Sequence, residues 1–195
     1  MKKKYIKFIA VIFYGSILTI VISIVHTWHF IDLRASSNLD LKTALLKEHS
    51  KGEYKLLHVL GTGCGCSEFT AEYLFNRGAK KEIREIVYFL GRKNELKYDL
   101  LSKGYEVFYT TIKQLTAEKK EIGGVPLFQI YSKGSNLLYS GGYSSSMITR
   151  GSKYQDLLTL KKVVRDGYAK ANPILGCAVG KKFMNLIDPI GLKYE

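Results

Sequence analysis

Two of the three cysteines in the chain lie one residue apart, at Cys64 and Cys66, within the glycine-rich stretch Gly61–Ser67 (GTGCGCS). Two neighbouring thiols can form a disulfide, exchange disulfides with another molecule, or bind a soft metal ion. A stretch made of glycine, threonine and serine is not typical core material, which argues against two inert buried cysteines. The pair is therefore the first candidate for chemistry.

The spacing of the pair limits its geometry. A disulfide between Cys64 and Cys66 would close a very small ring, and we expect the strain to favour the dithiol and to make the disulfide an oxidant or a shuffling centre. Side chains two residues apart on a helix point away from each other, so Cys64 is expected in a turn and Cys66 near the start of a helix. The helix N-terminus would stabilise a thiolate there. The sequence leaves open which cysteine attacks.

The third cysteine, Cys177, lies far along the chain, next to Ala178 and Val179. Two interpretations stay open for it. A lone cysteine beside small apolar residues is often a buried hydrophobe. Alternatively, it is a resolving cysteine, or a third thiol that staples the C-terminal segment beside the pair.

Strand and helix patterns alternate around the cysteine pair. Strands are predicted at 55–60, 85–90, 105–110, 127–131 and 137–140, and helices at 67–77, 96–104, 112–121 and 154–168. Gly78 ends the first of these helices, and residues 133–136 (KGSN) have hairpin composition. This order indicates parallel strands joined by right-handed crossovers, with an antiparallel hairpin completing the sheet.

These features resemble the thioredoxin superfamily over residues 54–168. The resemblance rests on a cysteine pair between the first buried strand and a helix, on the crossover order, and on Val125-Pro126 before the hairpin. It implies an α/β fold with a mixed central sheet and flanking helices, and a cis-proline at Pro126 that faces Cys64 and Cys66. The chain departs from the superfamily in its Cys-x-Cys spacing, where the common pattern is Cys-x-x-Cys.

The C-terminal part carries a narrower resemblance. The Gly176–Ala178 stretch (GCA), followed by residues 188–192 (DPIGL), is similar to the tail of the bacterial RedB-like proteins, which are thioredoxin-fold proteins with a short cysteine motif. The predicted organisation is a membrane anchor at 1–31, a juxtamembrane segment at 32–53, a thioredoxin-like domain at 54–168 and a C-terminal extension with Cys177 at 169–195.

An apolar run occupies the N-terminus. Eighteen uncharged residues, 8–25, follow four lysines. The run is longer than the apolar part of a signal peptide, about 7–15 residues, and lacks a small-residue cleavage site, so an uncleaved transmembrane helix is favoured. Trp28 and Phe30 are expected as interfacial anchors. The preceding lysines predict a single-pass protein of the cytoplasmic (inner) membrane, with the N-terminus inside and the domain in the periplasm or extracellular space.

The net charge is +13, with 30 Lys and Arg against 17 Asp and Glu. Basic pairs are scattered along the chain, whereas nucleic-acid binding usually needs one concentrated patch, so no nucleic-acid partner is expected. Solvated faces with some affinity for anionic headgroups explain the charge better. His58 lies inside a predicted strand and is interpreted as a core histidine.

These observations favour a membrane-tethered thiol–disulfide oxidoreductase that acts on exported proteins or small-molecule thiols and disulfides and needs no cofactor or metal. The alternative is a copper(I) carrier or metal-centre assembly factor, since two thiolates are soft ligands. The four histidines, at 26, 29, 49 and 58, do not fall in the loop expected to face the pair. A redox-inactive binding module is disfavoured by the intact cysteine pair.

Overall fold

The structure is a computed structural model that describes residues 2–28, 32–33, 54–91, 96–111 and 122–179. The elements in chain order are α1 (Lys2–Trp28), β1 (Tyr54–Gly61), α2 (Gly65–Arg77), β2 (Arg84–Leu90), α3 (Leu96–Ser102), β3 (Glu106–Thr110), β4 (Gly124–Val125), β5 (Leu127–Ser132), β6 (Leu137–Gly141), α4 (Asp156–Asp166) and β7 (Cys177–Ala178). The helix predicted at 112–121, most of the juxtamembrane segment and the 188–192 stretch lie outside the described residues.

The main sheet has five strands in the order β3-β2-β1-β5-β6. Strands β1, β2 and β3 are parallel, while β5 is antiparallel to both β1 and β6. A mixed sheet whose parallel strands are joined through helices and whose edge is an antiparallel hairpin is a thioredoxin-like fold. The predicted α/β class is therefore confirmed, and the predicted strands agree with the observed ones to within one residue at each end.

Helices pack on the sheet through two apolar clusters. Helices α2 and α3 contribute to a cluster with β1, β2 and β3, and α4 contributes to a second cluster with β1, β5 and β6. The first cluster contains Leu60, Ala71, Leu74, Val87, Phe89, Leu100, Tyr105 and Val107, and the second contains Leu56, Phe128, Ile130, Tyr139, Tyr143, Ile148, Leu160, Val163 and Ala169. Because β1 supplies Leu56 and Leu60 from one face, α2 is held firmly at the end of this strand.

A buried ionic network ties α2 to β2 and to α4. The Arg77 guanidinium donates to both carboxylate oxygens of Glu85, over 3.0 and 2.6 Å, and to one oxygen of Asp156 over 3.1 Å. Both carboxylates are fully buried, and the Arg77 side chain is 8% exposed. The Tyr73 hydroxyl donates to the other Asp156 oxygen over 2.7 Å. Every formal charge in the network thus has a charged partner.

His58 extends this network into the core. Its Nε2 lies 3.0 Å from a Glu85 oxygen and its Nδ1 lies 2.7 Å from the Tyr143 hydroxyl. Because a carboxylate only accepts, Nε2 carries the hydrogen and donates it to Glu85. Burial acts to raise the pKa of Glu85, but the hydrogen bonds from His58 and Arg77 outweigh it and lower that pKa to about 2. The interpretation of His58 as a core histidine is confirmed.

The N-terminal helix α1 falls in a compact unit of its own, Met1–Ile31, while Asp32–Glu195 forms the other unit. Within α1, residues Tyr5–Ser23 form a segment with a mean hydropathy of 2.2 whose side chains are exposed in the structure. This helix is long and apolar enough to be a membrane anchor or a signal sequence.

Candidate functional site

Cys64 lies at the junction between β1 and α2. It is the N-cap residue of α2, with an extended backbone (φ −109°, ψ 112°), and its side chain makes no capping hydrogen bond. The Cys64 carbonyl accepts the first helical hydrogen bond, from Glu68 N over 2.9 Å. Gly63, the residue before Cys64, has a φ of +74°, a backbone conformation that favours glycine. The turn therefore places Cys64 at the start of α2, where the residue is only 3% exposed.

The structure pairs Cys64 with Cys177 in a disulfide. The Cα atoms are 6.1 Å apart and the cysteines are separated by 113 residues. The small-ring pairing of Cys64 with Cys66, which the sequence suggested, is not the one formed. The strain expected for that ring consequently does not apply to the observed disulfide. Of the two interpretations of Cys177, the pairing agrees with the second, in which it is a resolving cysteine or a third thiol that staples the C-terminal segment.

Cys66 points to a different part of the domain. Its thiol donates a hydrogen bond to the Ile148 carbonyl oxygen over 3.6 Å. The half-buried side chain packs with Phe69 against the cluster under α4. The side chains of Cys64 and Cys66 diverge, as helix geometry predicts, because Cys64 is the N-cap residue of α2 and Cys66 lies in its first turn. The disulfide therefore leaves Cys66 as a thiol.

Pro126 adjoins the disulfide. The Val125-Pro126 peptide bond is cis, as predicted. The Val125 carbonyl oxygen lies 4.0 Å from the Cys64 sulfur. A Cβ at Gly61 would come within 2.8 Å of the Val125 side chain, so glycine at the end of β1 allows the proline loop to approach. The tertiary structure thus brings Cys64, Cys177 and the Val125-Pro126 loop together.

A second, two-stranded sheet holds Cys177 at this loop. Strand β7 runs antiparallel to β4, with Cys177 opposite Val125 and Ala178 opposite Gly124. The segment before β7 is fixed by Ile174, whose carbonyl accepts from Leu33 N over 2.8 Å and whose N–H donates to the Asp32 carboxylate over 2.9 Å. Sequence reasoning missed both short strands, because two residues carry no periodicity.

The chemistry available here is that of sulfur. Within the described residues, no group of three or more His, Cys, Asp and Glu side chains could hold a metal ion. The Cys66 thiol diverges from the Cys64–Cys177 pair, so nothing in the described part of the chain favours the copper(I) alternative over disulfide exchange.

No protein-family model and no curated protein matches the chain. Among solved structures, it is similar to an uncharacterized conserved protein from Geobacillus kaustophilus (14% identity over 66% of this chain and 77% of that chain, TM-score 0.48). It is also similar to the thioredoxin domain of a thiol–disulfide oxidoreductase from Bacteroides vulgatus (18% identity, 58% and 81% covered, TM-score 0.37). A third is a secreted disulfide oxidoreductase from Mycobacterium tuberculosis (12% identity, 58% and 83% covered, TM-score 0.38). At these identities and TM-scores, the fold assignment depends on the strand order and pairing alone.

Proposed function

We propose that the protein is a membrane-tethered, extracytoplasmic thiol–disulfide oxidoreductase whose redox pair is Cys64 and Cys177. The observation that carries the proposal is the disulfide itself, formed by the N-cap residue of α2 beside the Val125-Pro126 loop. The unpaired N–H groups at that helix end would stabilise a Cys64 thiolate once the disulfide is reduced. We therefore assign Cys64 as the sulfur that a substrate thiolate attacks, with Cys177 as the first leaving group. The stabilised Cys64 thiolate then leaves from the mixed disulfide in the second step.

Cys66 has a separate part in this proposal. Its thiol lies two residues from Cys64, with only Gly65 between them, and a Cβ at Gly65 would have nothing within 4 Å. Because this thiol points away from Cys64 toward the Ile148 carbonyl oxygen, we assign it no direct exchange with Cys64, and it serves as the reference thiol that the proposed redox pair does not use. The substrates are exported proteins or small-molecule thiols, and the similarity to RedB-like tails stays a prediction.

Disulfide exchange by purified full-length protein in detergent tests this function. The oxidised protein should convert one equivalent of reduced dithiothreitol to its disulfide, because the two electrons are accepted by Cys64 and Cys177. Cys64→Ser and Cys177→Ser should each abolish this reaction, while Cys66→Ser should retain the first exchange. The measurement is the loss of free thiol with time.

Two outcomes of that assay would contradict the proposal in different ways. Loss of exchange in Cys66→Ser but not in Cys177→Ser would move the redox pair to the Cys-Gly-Cys motif. Stoichiometric binding of Cu(I) by a protein that exchanges no thiols would replace the oxidoreductase with a copper carrier.

The location is tested by labelling cells with a cysteine reagent that does not cross the inner membrane. Half-buried Cys66 should react in intact cells without reductant, whereas Cys64 and Cys177 should react only after reduction. Mass spectrometry identifies the labelled cysteines, and the retention of the N-terminal residues distinguishes an anchor from a cleaved signal sequence. Labelling of Cys66 only after lysis would overturn the proposed orientation.

A further inference from the structure

The C-terminal segment of the chain lies against the redox site as an extended peptide. Two main-chain features define it: antiparallel pairing of β7 with β4, and a hydrogen bond from Val179 N to Gly123 O over 3.1 Å. Its cysteine is bonded to Cys64 through the disulfide. An added strand held by backbone hydrogen bonds is a common mode of peptide recognition. The segment therefore has the arrangement of a peptide in mixed disulfide with Cys64.

The site restricts the residue that precedes the bonded cysteine. A Cβ at Gly176 would overlap the Val125 carbonyl oxygen and come within 3.0 Å of Pro126 Cδ. The two obstacles are a backbone carbonyl oxygen and a proline ring carbon, so neither can rotate away as a flexible side chain would. Any peptide bound in the same register needs glycine at this position.

The position after the cysteine is also enclosed. Ala178 is 3% exposed and lies opposite Gly124. A Cβ at Gly124 would itself come within 2.6 Å of Leu33 Cβ, so Leu33 packs closely against β4. A small residue at this position fits the space that the segment fills.

The same segment closes the site. With it in place, Cys64 is only 3% exposed, and β4 pairs with β7 among the described residues. Ile174 and Leu175 stay anchored, being 1% and 9% exposed. Release of β7 therefore needs only residues 176–179 to leave β4.

We propose that residues 176–179 are a tethered pseudo-substrate, and that the substrates are extended polypeptide segments containing Gly-Cys followed by a small residue, which replace β7 on β4. This inference rests on the proposed function and adds its substrate class. A tethered segment competes at an effective concentration in the millimolar range, so the free peptide binds only when the disulfide exchange releases the segment.

The exchange balances without an outside oxidant. A substrate thiolate attacks Cys64 Sγ, forming a mixed disulfide, and the Cys64–Cys177 bond breaks with Cys177 leaving as a thiolate. A second thiolate of the same substrate then attacks the substrate sulfur of the mixed disulfide and releases Cys64. The substrate loses two electrons and two protons and becomes a disulfide, and Cys64 and Cys177 become thiols.

The test uses the oxidised full-length protein in detergent and two dithiol peptides that differ only in a Gly-Cys-Ala or an Ala-Cys-Ala sequence. The Gly-Cys-Ala peptide should be oxidised faster by about tenfold or more in kcat/KM, which corresponds to about 1.4 kcal/mol. Dithiothreitol cannot pair with β4 as a peptide strand does, so its oxidation measures the disulfide exchange independently of peptide recognition. Equal rates for the two peptides, with normal dithiothreitol oxidation, would overturn this inference and leave the function intact.

A variant of the segment itself gives a second measurement. Gly176→Ala should loosen β7, expose Cys64 and accelerate the reaction with both dithiothreitol and the Gly-Cys-Ala peptide, while the preference between the peptides persists. Gly151→Ala is the matched control, because a Cβ there meets nothing within 4 Å. A Gly176→Ala protein that reacts at the wild-type rate would overturn the closure of the site by this segment. Absence of reaction with dithiothreitol and with both peptides would contradict the oxidoreductase function instead.

Discussion

Replacement of Arg77 by methionine should lower the free energy of unfolding by about 3–5 kcal/mol, which is the cost of breaking a buried ion pair by removing one partner. The Arg77 guanidinium holds two fully buried carboxylates, those of Glu85 and Asp156. Methionine fills much of the volume of arginine. The decrease in the free energy of unfolding is therefore caused mainly by the two unpaired carboxylates and only to a small extent by a cavity. The measurement is denaturant unfolding of the full-length protein in detergent, followed by near-UV circular dichroism.

The matched control is Arg165→Met. Arg165 pairs with Asp166 over 2.7 Å, but its side chain is 74% exposed. An exposed pair contributes about 0–1 kcal/mol, so this variant should unfold almost as the wild type does. If both variants lost the same free energy of unfolding, the buried Arg77 ion pairs would stabilise the fold no more than the exposed Arg165 pair does, and the prediction would be wrong.

Acid sensitivity gives the same network a second readout. The folded pKa of Glu85 is lowered to about 2, below the value of about 4.3 for an unperturbed glutamate. A group with a lowered folded pKa contributes stability that is present above the unfolded pKa and is lost as the pH falls toward the folded pKa. Since Arg77→Met removes one of the groups that lower this pKa, acid unfolding of the variant should begin at a higher pH.

Reduction of the Cys64–Cys177 disulfide should lower the free energy of unfolding by about 2–5 kcal/mol. The crosslink joins residues 113 positions apart. Closing so long a loop removes much of the conformational entropy of the unfolded chain, and the reduced chain regains it. Cys177→Ser should reproduce the effect, as measured by comparing unfolding with and without reductant.

Cys66→Ser is the control, because it removes a thiol without breaking the Cys64–Cys177 disulfide. Because Cys66 is not part of the disulfide, the variant should keep the full difference between oxidised and reduced protein. If that difference disappears in Cys66→Ser and persists in Cys177→Ser, the stabilising crosslink lies within the Cys-Gly-Cys motif.

The sequence by itself determined the scaffold of this protein. Mostly apolar runs at 55–60 and 85–90, helices ended by glycine and a hairpin between 127 and 140 are local patterns, so they predict the strands and their order. Helix geometry also showed that Cys64 and Cys66 cannot share a helix face. Charged or ionisable residues within buried strands, at His58 and Glu85, were the available signal for the ionic network.

The tertiary structure alone decided which sulfurs meet. Cys64 and Cys177 are brought together because β4 and β7 pair, and a strand of two residues has no periodicity that could be read from the sequence. The need for glycine at 176 likewise arises from its contact with the Val125-Pro126 loop and not from its own backbone conformation. Contacts between segments distant in the chain have no local signature, so the partner of Cys64 and the segment that closes over it required the fold.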